Sequence, residues 1–86
     1  MGGEKFNKLS KKEGYRSRAA YKLKQINESH NLIKPNQNIL DIGSAPGSWC
    51  QVVKETVKGK SKITAIDILP MQPIDGVFFI KKDLLE

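Results

Sequence analysis

The sequence predicts a parallel α/β fold built from three strands and two helices. Three short runs, 38-NILDIG-43, 62-KITAID-67 and 77-VFFIKKD-83, are rich in apolar residues and are bounded by turn residues, which is typical of strands. A glycine-containing loop and an amphipathic segment separate the first two runs. A strand, a glycine loop, a helix and a further strand form the unit that builds parallel sheets with right-handed connections.

The first helix is predicted from about Ser17 to Glu28. Ser17 can cap its start, and Pro35 ends the run that follows it. Apolar residues recur between these limits at partly helical spacing, and we expect one of them, Tyr21, to lie in the core.

The second helix is predicted from Gly47 to Val57, with Gly59 closing it. Its apolar residues follow at i, i+3, i+4 and i+8, which places them on one helical face; they are Trp49, Val52, Val53 and Val57. The strand before it, 38-NILDIG-43, is predicted to be buried on both faces because it is a continuous apolar run.

Length and composition limit the class of protein. A chain of 86 residues forms one domain at most, and no apolar run reaches the ~20 residues that span a bilayer, so we expect no membrane partner. The single cysteine, Cys50, excludes an internal disulfide and indicates a reducing compartment. With His30 as the one histidine, the chain lacks the ligands for a zinc site, and we expect no metal.

Positive charge is concentrated at the start of the chain. Residues 1–24 hold eight lysines and arginines against two glutamates, which equals the net charge of the whole chain, +6. Such a segment can neutralise nucleic-acid phosphates, or it can be a solvated tail. We divide the chain into a basic, flexible segment, residues 1–13, and a domain, residues 14–86. Arg16 and Arg18 are the candidate contacts to nucleic-acid phosphates, with a solvated helix start as the alternative.

The loop 41-DIGSAPGSWC-50 follows the first predicted strand, where parallel α/β sheets bind ligands. Its glycines let the backbone approach a ligand, and the amides at the start of the next helix favour an anionic group. Asp67 ends the second strand, 24 residues after Gly43, where a carboxylate can accept hydrogen bonds from ribose hydroxyls.

The same loop argues against a dinucleotide. The fingerprint G-x-G-x-x-G requires glycines at 43, 45 and 48, but the chain has Gly43, Ala45 and Ser48. A ligand with a smaller anionic end fits better, and S-adenosylmethionine combines an amino-acid carboxylate with a ribose and an adenine. Asp83, at the end of the third strand, can accept a hydrogen bond from the adenine amino group. Asp67 and Asp83 can also be simple strand-end caps.

Three motifs extend this interpretation to a family. The segments 14-GYRSRAAYKL-23, 39-ILDIGSAPGSW-49 and 67-DILPMQPIDGV-77 resemble the FtsJ-type ribose 2'-O-methyltransferases, specifically the branch acting on large-subunit ribosomal RNA. The resemblance runs from about Glu13 to Glu86. It implies the N-terminal half of a Rossmann-like methyltransferase fold and S-adenosylmethionine-dependent methylation of a ribose 2'-hydroxyl, on a uridine of large-subunit ribosomal RNA or its assembling particle.

The resemblance also assigns residues. It implies that the cofactor-binding positions are Gly47, Trp49, Asp67 and Asp83, together with the loop residues Gly43, Ser44, Ala45 and Pro46. Lys22 falls on the first lysine of the family's Lys-Asp-Lys-Glu catalytic set and is also a candidate RNA contact. A nearby lysine can stabilise the developing alkoxide or orient the attacking oxygen. The ring of Trp49 is expected to pack on the sheet.

The chain departs from the family pattern in length. The later aspartate, second lysine and glutamate of the catalytic set have no counterparts, so we expect these 86 residues to bind cofactor weakly and to catalyse no useful turnover. The first strand is expected to be an open apolar edge. The full-length protein is expected to be a monomer in the cytoplasm or in mitochondria.

Three alternatives remain open from the sequence. The chain can be a non-catalytic RNA-binding module that uses its basic segment, in which case its RNA affinity depends on salt and is indifferent to cofactor. It can be half of a nucleotide-dependent oxidoreductase domain. It can also be a methyltransferase that acts on transfer RNA, because relatives with the same motifs do so. Substrate choice cannot be assigned from this part of the fold.

Overall fold

The computed structural model describes residues 14–85, and three strands and two helices form its regular structure. The predicted basic segment 1–13 lies outside these residues. The elements, in chain order, are helix α1 (Ala19–His30), strand β1 (Asn38–Ile42), helix α2 (Ser48–Val57), strand β2 (Lys62–Asp67) and strand β3 (Val77–Lys81).

The predicted parallel sheet is confirmed. The strand order is β1-β2-β3, and both neighbouring pairs are parallel. In this register Leu40, Thr64 and Phe78 lie side by side across the sheet. Because all three strands point the same way, the glycine loop after β1, the end of β2 and the end of β3 lie together at the carboxyl-terminal end of the sheet.

Helix α1 begins and ends two residues later than predicted. Ser17 lies just before it, and its hydroxyl accepts a hydrogen bond from the Ala19 amide at 3.3 Å. At the other end Asn31 adopts a left-handed conformation, φ 50°, and its amide donates to the Asn27 carbonyl at 2.7 Å. Asparagine tolerates this conformation better than most residues, so Asn31 ends the helix before Pro35 is reached.

Helix α2 buries the predicted valines, but its apolar face is rotated from the predicted one. Val52, Val53 and Val57 are buried, and Cys50 has no exposed surface. Trp49 remains 39% exposed and belongs to the surface near the glycine loop. The core forms where this face of α2 meets Leu23 of α1 and the side chains of β2.

The helices cover one face of the sheet, and the opposite face is open. On the covered face, Ile63 and Ala65 are almost completely buried. On the open face, Leu40, Ile42 and Phe78 are 56%, 62% and 62% exposed, because side chains alternate between faces along a strand. The prediction that β1 is buried on both faces is therefore wrong for residues 14–85, whereas the predicted open apolar edge at β1 is present.

Candidate functional site

A cavity of 320 Å³ lies at the carboxyl end of β1, between the glycine loop and the start of α1. Its wall combines the end of a strand, a turn and the first turn of α2, which is the arrangement expected for ligand sites in parallel α/β sheets. Its lining residues are Ser17, Ala19, Asp41, Ile42, Gly43, Ser44, Ala45, Pro46, Ser48 and Trp49.

Gly43 forms the turn that leaves β1. Its φ is +76°, and a Cβ atom placed there would meet nothing within 4 Å, so the turn faces open space. The amides of Gly43 and Ser44 both donate to the Ile66 carbonyl, at 2.8 and 3.2 Å. Glycine is required by the backbone conformation, and the backbone remains accessible to a ligand, as the sequence predicts.

Gly47 is required for a different reason. Its φ is +112°, and a Cβ atom there would lie 3.0 Å from Arg16 Nη1, 3.0 Å from Ile74 Cδ1 and 3.1 Å from Met71 Sδ. From the sequence, we expect the conformational freedom of this glycine to serve the close approach of a ligand. The atoms that crowd Gly47 belong to the protein itself.

Asp67 anchors the glycine loop to the end of β2. Its Oδ2 accepts a hydrogen bond from the Ala45 amide at 2.9 Å, and its Oδ1 accepts one from the Leu69 amide at 3.1 Å. These main-chain donors, Leu69 first and then Ala45, lower the pKa of the Asp67 carboxyl group. Each carboxylate oxygen keeps a second lone pair, so Asp67 can hold the loop and still accept a ribose hydroxyl.

Asp83 lies just beyond the sheet, since β3 ends at Lys81 and not at Asp83 as predicted. Its Oδ1 accepts the Leu85 amide at 2.9 Å. Asp67 and Asp83 therefore both form the local caps that the sequence allowed. A contact from Asp83 to adenine stays a prediction.

Asp41 is a candidate site residue that the sequence argument missed. It lines the cavity, is half-buried, and its Oδ2 accepts the Cys50 thiol at 3.2 Å. Burial raises the pKa of Asp41; the Cys50 hydrogen bond opposes this shift, and repulsion from Asp67 adds to it. Burial, followed by the Asp41 carboxylate, raises the pKa of Cys50 to about 12, so the thiol is not a nucleophile at neutral pH.

Polar groups without internal partners face the same region. Helix α2 has no side-chain cap, so the amides of its first turn are available to an anionic ligand. The Ser44 hydroxyl oxygen is buried and has no hydrogen-bond partner among residues 14–85. Buried polar groups without a partner are rare, and a bound ligand is one explanation for Ser44.

Of the basic candidates, Lys22 lies in the first turn of α1, and Arg18 directly precedes that helix. Both are exposed, and neither lines the cavity, although Ala19, the first residue of α1, does. Arg16 differs, because its guanidinium group donates to the main-chain carbonyls of Pro46, Gln72 and Pro73.

Trp49 lines the cavity, and its indole Nε1 donates to the Ala19 carbonyl at 2.9 Å. That its ring packs on the sheet stays a prediction. This hydrogen bond joins the first turn of α2 to the first turn of α1. His30, the last residue of α1, is exposed, and we assign it no chemistry.

The described part of the chain has neither a metal-binding cluster nor a membrane-spanning helix. Residues 14–85 contain no group of three or more histidine, cysteine, aspartate or glutamate side chains that could hold a metal ion. Within the same residues no helix has the length and apolar character needed to cross a membrane.

Comparison with known proteins decides the family. Residues 15–86 match the sequence family described as FtsJ-like methyltransferase. The chain belongs to the FtsJ-like methyltransferase family. The match covers nearly all of the chain, and it agrees with the resemblance carried by the three sequence motifs.

Relatives in this family are longer. The chain is 54% identical over 81 residues to the ribosomal RNA large subunit methyltransferase E of Nitrosospira multiformis; the match covers 94% of the chain and 39% of the relative. It is 49% identical over 83 residues to the protein of the same name from Methylobacillus flagellatus, with coverages of 96% and 40%. The chain thus spans about two fifths of the length of the curated relatives it matches.

A solved structure shares the fold. A crystal structure from Plasmodium falciparum, assigned as a ribosomal RNA methyltransferase, matches with a TM-score of 0.78 and 51% sequence identity. The match covers 81% of this chain and 39% of that one. Together with the observed parallel sheet, it identifies the described residues as part of a Rossmann-like methyltransferase fold.

Asp41→Asn is expected to stabilise the chain at neutral pH. Folding raises the pKa of Asp41. The contribution of Asp41 to the free energy of unfolding is therefore fully present below the ordinary carboxyl pKa, where the group is neutral, and it is lost as pH rises through the raised pKa of the folded state. Asparagine carries no charge to desolvate and can still accept the Cys50 thiol. Thermal unfolding between about pH 3 and about pH 8 should show a midpoint advantage of a few degrees that grows with pH.

The matched control for this substitution is Asp75→Asn. Asp75 is exposed in the loop between β2 and β3, so the same loss of charge there removes no buried carboxylate. A pH-independent difference between Asp41→Asn and the unsubstituted chain would show that burial of the charge is not the cause.

Proposed function

We propose that this chain binds S-adenosylmethionine at the glycine loop, as the cofactor-binding part of an enzyme that methylates ribose 2'-hydroxyls in large-subunit ribosomal RNA. The observation that carries the proposal is a pair of cavities that share Ile42 and Gly43. One lies above the start of α2, and the other lies at the ends of β1 and β2. An elongated ligand with two chemically different ends fits such a pair.

The first cavity suits the amino-acid end of the cofactor. The uncapped amides of α2 and the buried Ser44 hydroxyl can bind a carboxylate, and Asp41 can accept hydrogen bonds from an ammonium group. An ammonium beside Asp41 would also favour the ionised carboxylate that burial disfavours. We therefore expect Asp41→Asn to weaken cofactor binding by about tenfold or more while it stabilises the free chain.

The second cavity, of 190 Å³, suits the nucleoside end. It combines apolar walls with one carboxylate, and its lining residues are Ile42, Gly43, Ile66, Asp67, Ile68, Lys82 and Leu84. The isoleucine and leucine side chains can pack on an adenine, and Asp67 can accept from the ribose hydroxyls. Asp83 follows Lys82 directly, which keeps its proposed contact with the adenine amino group within the same region.

S-adenosylmethionine, when bound, supplies a methyl group on a positively charged sulfur. The chain's own residues hold the reactants and assist the loss of the hydroxyl proton. Lys22 is exposed in the first turn of α1, whose first residue, Ala19, lines the first cavity. In this proposal its ammonium orients a ribose oxygen and stabilises the charge that develops on it. Arg18, exposed just before α1, is suited to a phosphate of the same RNA strand.

Calorimetric titration of the chain with S-adenosylmethionine and with NAD tests the proposal. S-adenosylmethionine is expected to bind, and NAD at least about tenfold more weakly, because Ala45 and Ser48 replace two glycines of the pyrophosphate fingerprint. S-adenosylhomocysteine keeps the carboxylate, the ribose and the adenine, so it is the positive control. Preference for NAD would favour the oxidoreductase alternative.

A further inference from the structure

Arg16 joins two loops that lie far apart in the sequence. Its Nη1 donates to the carbonyl of Pro46, in the glycine loop, at 2.9 Å, and also to the carbonyl of Gln72. Its Nη2 donates to the Pro73 carbonyl at 2.9 Å. Among residues 14–85, no other hydrogen bond joins the glycine loop to residues 70–74.

The backbone at Arg16 is fixed as well. Its amide donates to Gln51 Oε1 at 2.8 Å, and Gln51 Nε2 donates to the Gly14 carbonyl at 3.0 Å. Next to it, the hydroxyls of Ser17 and Ser48 lie 2.7 Å apart. The segment before α1 is thus attached to the first turns of α2, and this attachment directs the Arg16 side chain across the glycine loop.

The chemistry of this contact requires arginine. A guanidinium group is a planar fork with five N–H donors, whereas a lysine ammonium is a point charge on a flexible stem. The planar fork lets one side chain donate hydrogen bonds to three carbonyls in two different loops. Gly47 provides the space, because a Cβ atom there would lie 3.0 Å from Arg16 Nη1.

We propose that Arg16 is a positioning residue for the cofactor site and not a phosphate contact. Its guanidinium holds the glycine loop and residues 70–74 together, and so fixes the backbone that forms the wall of the first cavity. This assignment replaces the RNA contact that the sequence predicted for Arg16. This inference rests on the proposed function in one respect: S-adenosylmethionine is taken as the ligand of that cavity.

Three variants separate the two roles. Arg16→Ala removes the fork and the charge, and Arg16→Lys removes the fork but keeps the charge. Arg18→Ala is the matched control, because Arg18 is exposed and its side chain makes no hydrogen bond with another described residue. An RNA contact predicts that Arg16→Lys behaves almost like the unsubstituted chain, whereas a positioning role predicts that both Arg16 variants are impaired.

The first readout is amide hydrogen exchange without any ligand. We expect both Arg16 variants to exchange about tenfold or more faster in residues 44–48 and 71–77, with little change in β2, and we expect Arg18→Ala to match the unsubstituted chain. The second readout is S-adenosylmethionine affinity, which should fall by about tenfold or more in both Arg16 variants and stay unchanged in Arg18→Ala.

Affinity for a ribosomal RNA fragment completes the test. Arg18→Ala is expected to lower it, whereas Arg16→Ala is expected to leave it nearly unchanged, because the proposal gives Arg16 no phosphate to bind. Unaltered exchange in both loops, with RNA affinity lost in Arg16→Ala and retained in Arg16→Lys, would overturn the proposal. If the unsubstituted chain binds no S-adenosylmethionine, the proposed function fails, and the exchange measurement still decides whether Arg16 holds the loops. If Arg16→Ala does not fold, amide exchange in Arg16→Lys still shows whether the guanidinium group holds the two loops together.

Discussion

Gly47→Ala is expected to destabilise the chain by about 2–6 kcal/mol and to abolish measurable cofactor binding. An alanine at φ +112° costs about 1–3 kcal/mol in backbone strain, and its Cβ atom would press on Arg16, Ile74 and Met71 at 3.0–3.1 Å, which adds about 1–3 kcal/mol. Relief of the contact requires Arg16 to leave the glycine loop. Urea unfolding gives the free energy, and calorimetry with S-adenosylmethionine gives the affinity.

Gly59→Ala is the matched control. Gly59 has φ +80°, and a Cβ atom there would meet nothing within 4 Å, so this substitution carries backbone strain without a steric contact. It also lies in the turn after α2, away from the candidate site. Equal destabilisation by the two substitutions would mean that crowding at Gly47 contributes nothing, and it would remove the steric support for the contact between Arg16 and the loop.

Asp67→Ala is expected to lower S-adenosylmethionine affinity by about ten- to hundredfold. The substitution releases the amides of Ala45 and Leu69, so the glycine loop loses its side-chain anchor at the end of β2 and keeps only the main-chain bonds from Gly43 and Ser44 to Ile66. It also removes the proposed acceptor for the ribose hydroxyls. Asp67→Asn should be intermediate, because its single carbonyl oxygen can replace only one of the two acceptors.

The pH dependence of stability gives an independent measure of the same anchor. Main-chain donors lower the pKa of Asp67, so its contribution to stability is present above the ordinary carboxyl pKa and is lost as pH falls through the lowered value. Asp67→Asn should therefore unfold with a weaker dependence on acid than the unsubstituted chain. Asp75→Asn, which removes an exposed charge in the following loop, should leave both acid sensitivity and cofactor affinity unchanged.

The strands and helices could be predicted because their signals are local. Apolar runs and bounding turn residues identify all three strands, and β2 has the predicted limits, 62–67. The ends of α1 depend on the hydrogen bond from the Ala19 amide to Ser17 Oγ and on the left-handed conformation of Asn31, which hydropathy does not reveal. The open face of the sheet could not be predicted from the sequence either. An apolar run shows that its side chains are suited to burial, but it does not show whether another element covers them.

The position of the candidate cavities in the fold follows from the sequence, whereas several contacts around them do not. The loop after β1 and the acidic residue after β2 follow from the geometry of parallel sheets, and Gly43 and Asp67 lie where that geometry requires. Arg16 bonds to carbonyls 30 and 56 residues away, and nothing in the local sequence distinguishes such an arginine from one that binds phosphate. Asp41 could have been identified from the sequence, because a carboxylate within an apolar strand is rarely buried unless it has a polar partner.

The most direct test of the central claim, that the glycine loop is an S-adenosylmethionine site, is an amide chemical-shift titration of the isotopically labelled chain. The account predicts shifts concentrated at Gly43, Ser44, Ala45, Trp49 and Asp67, with the far end of α1 around His30 unchanged. It also predicts that Asp67→Ala strongly reduces these shifts at a cofactor concentration that half-saturates the unsubstituted chain. Shifts confined to the open face around Leu40 and Phe78, or no shifts at saturating cofactor, would contradict it.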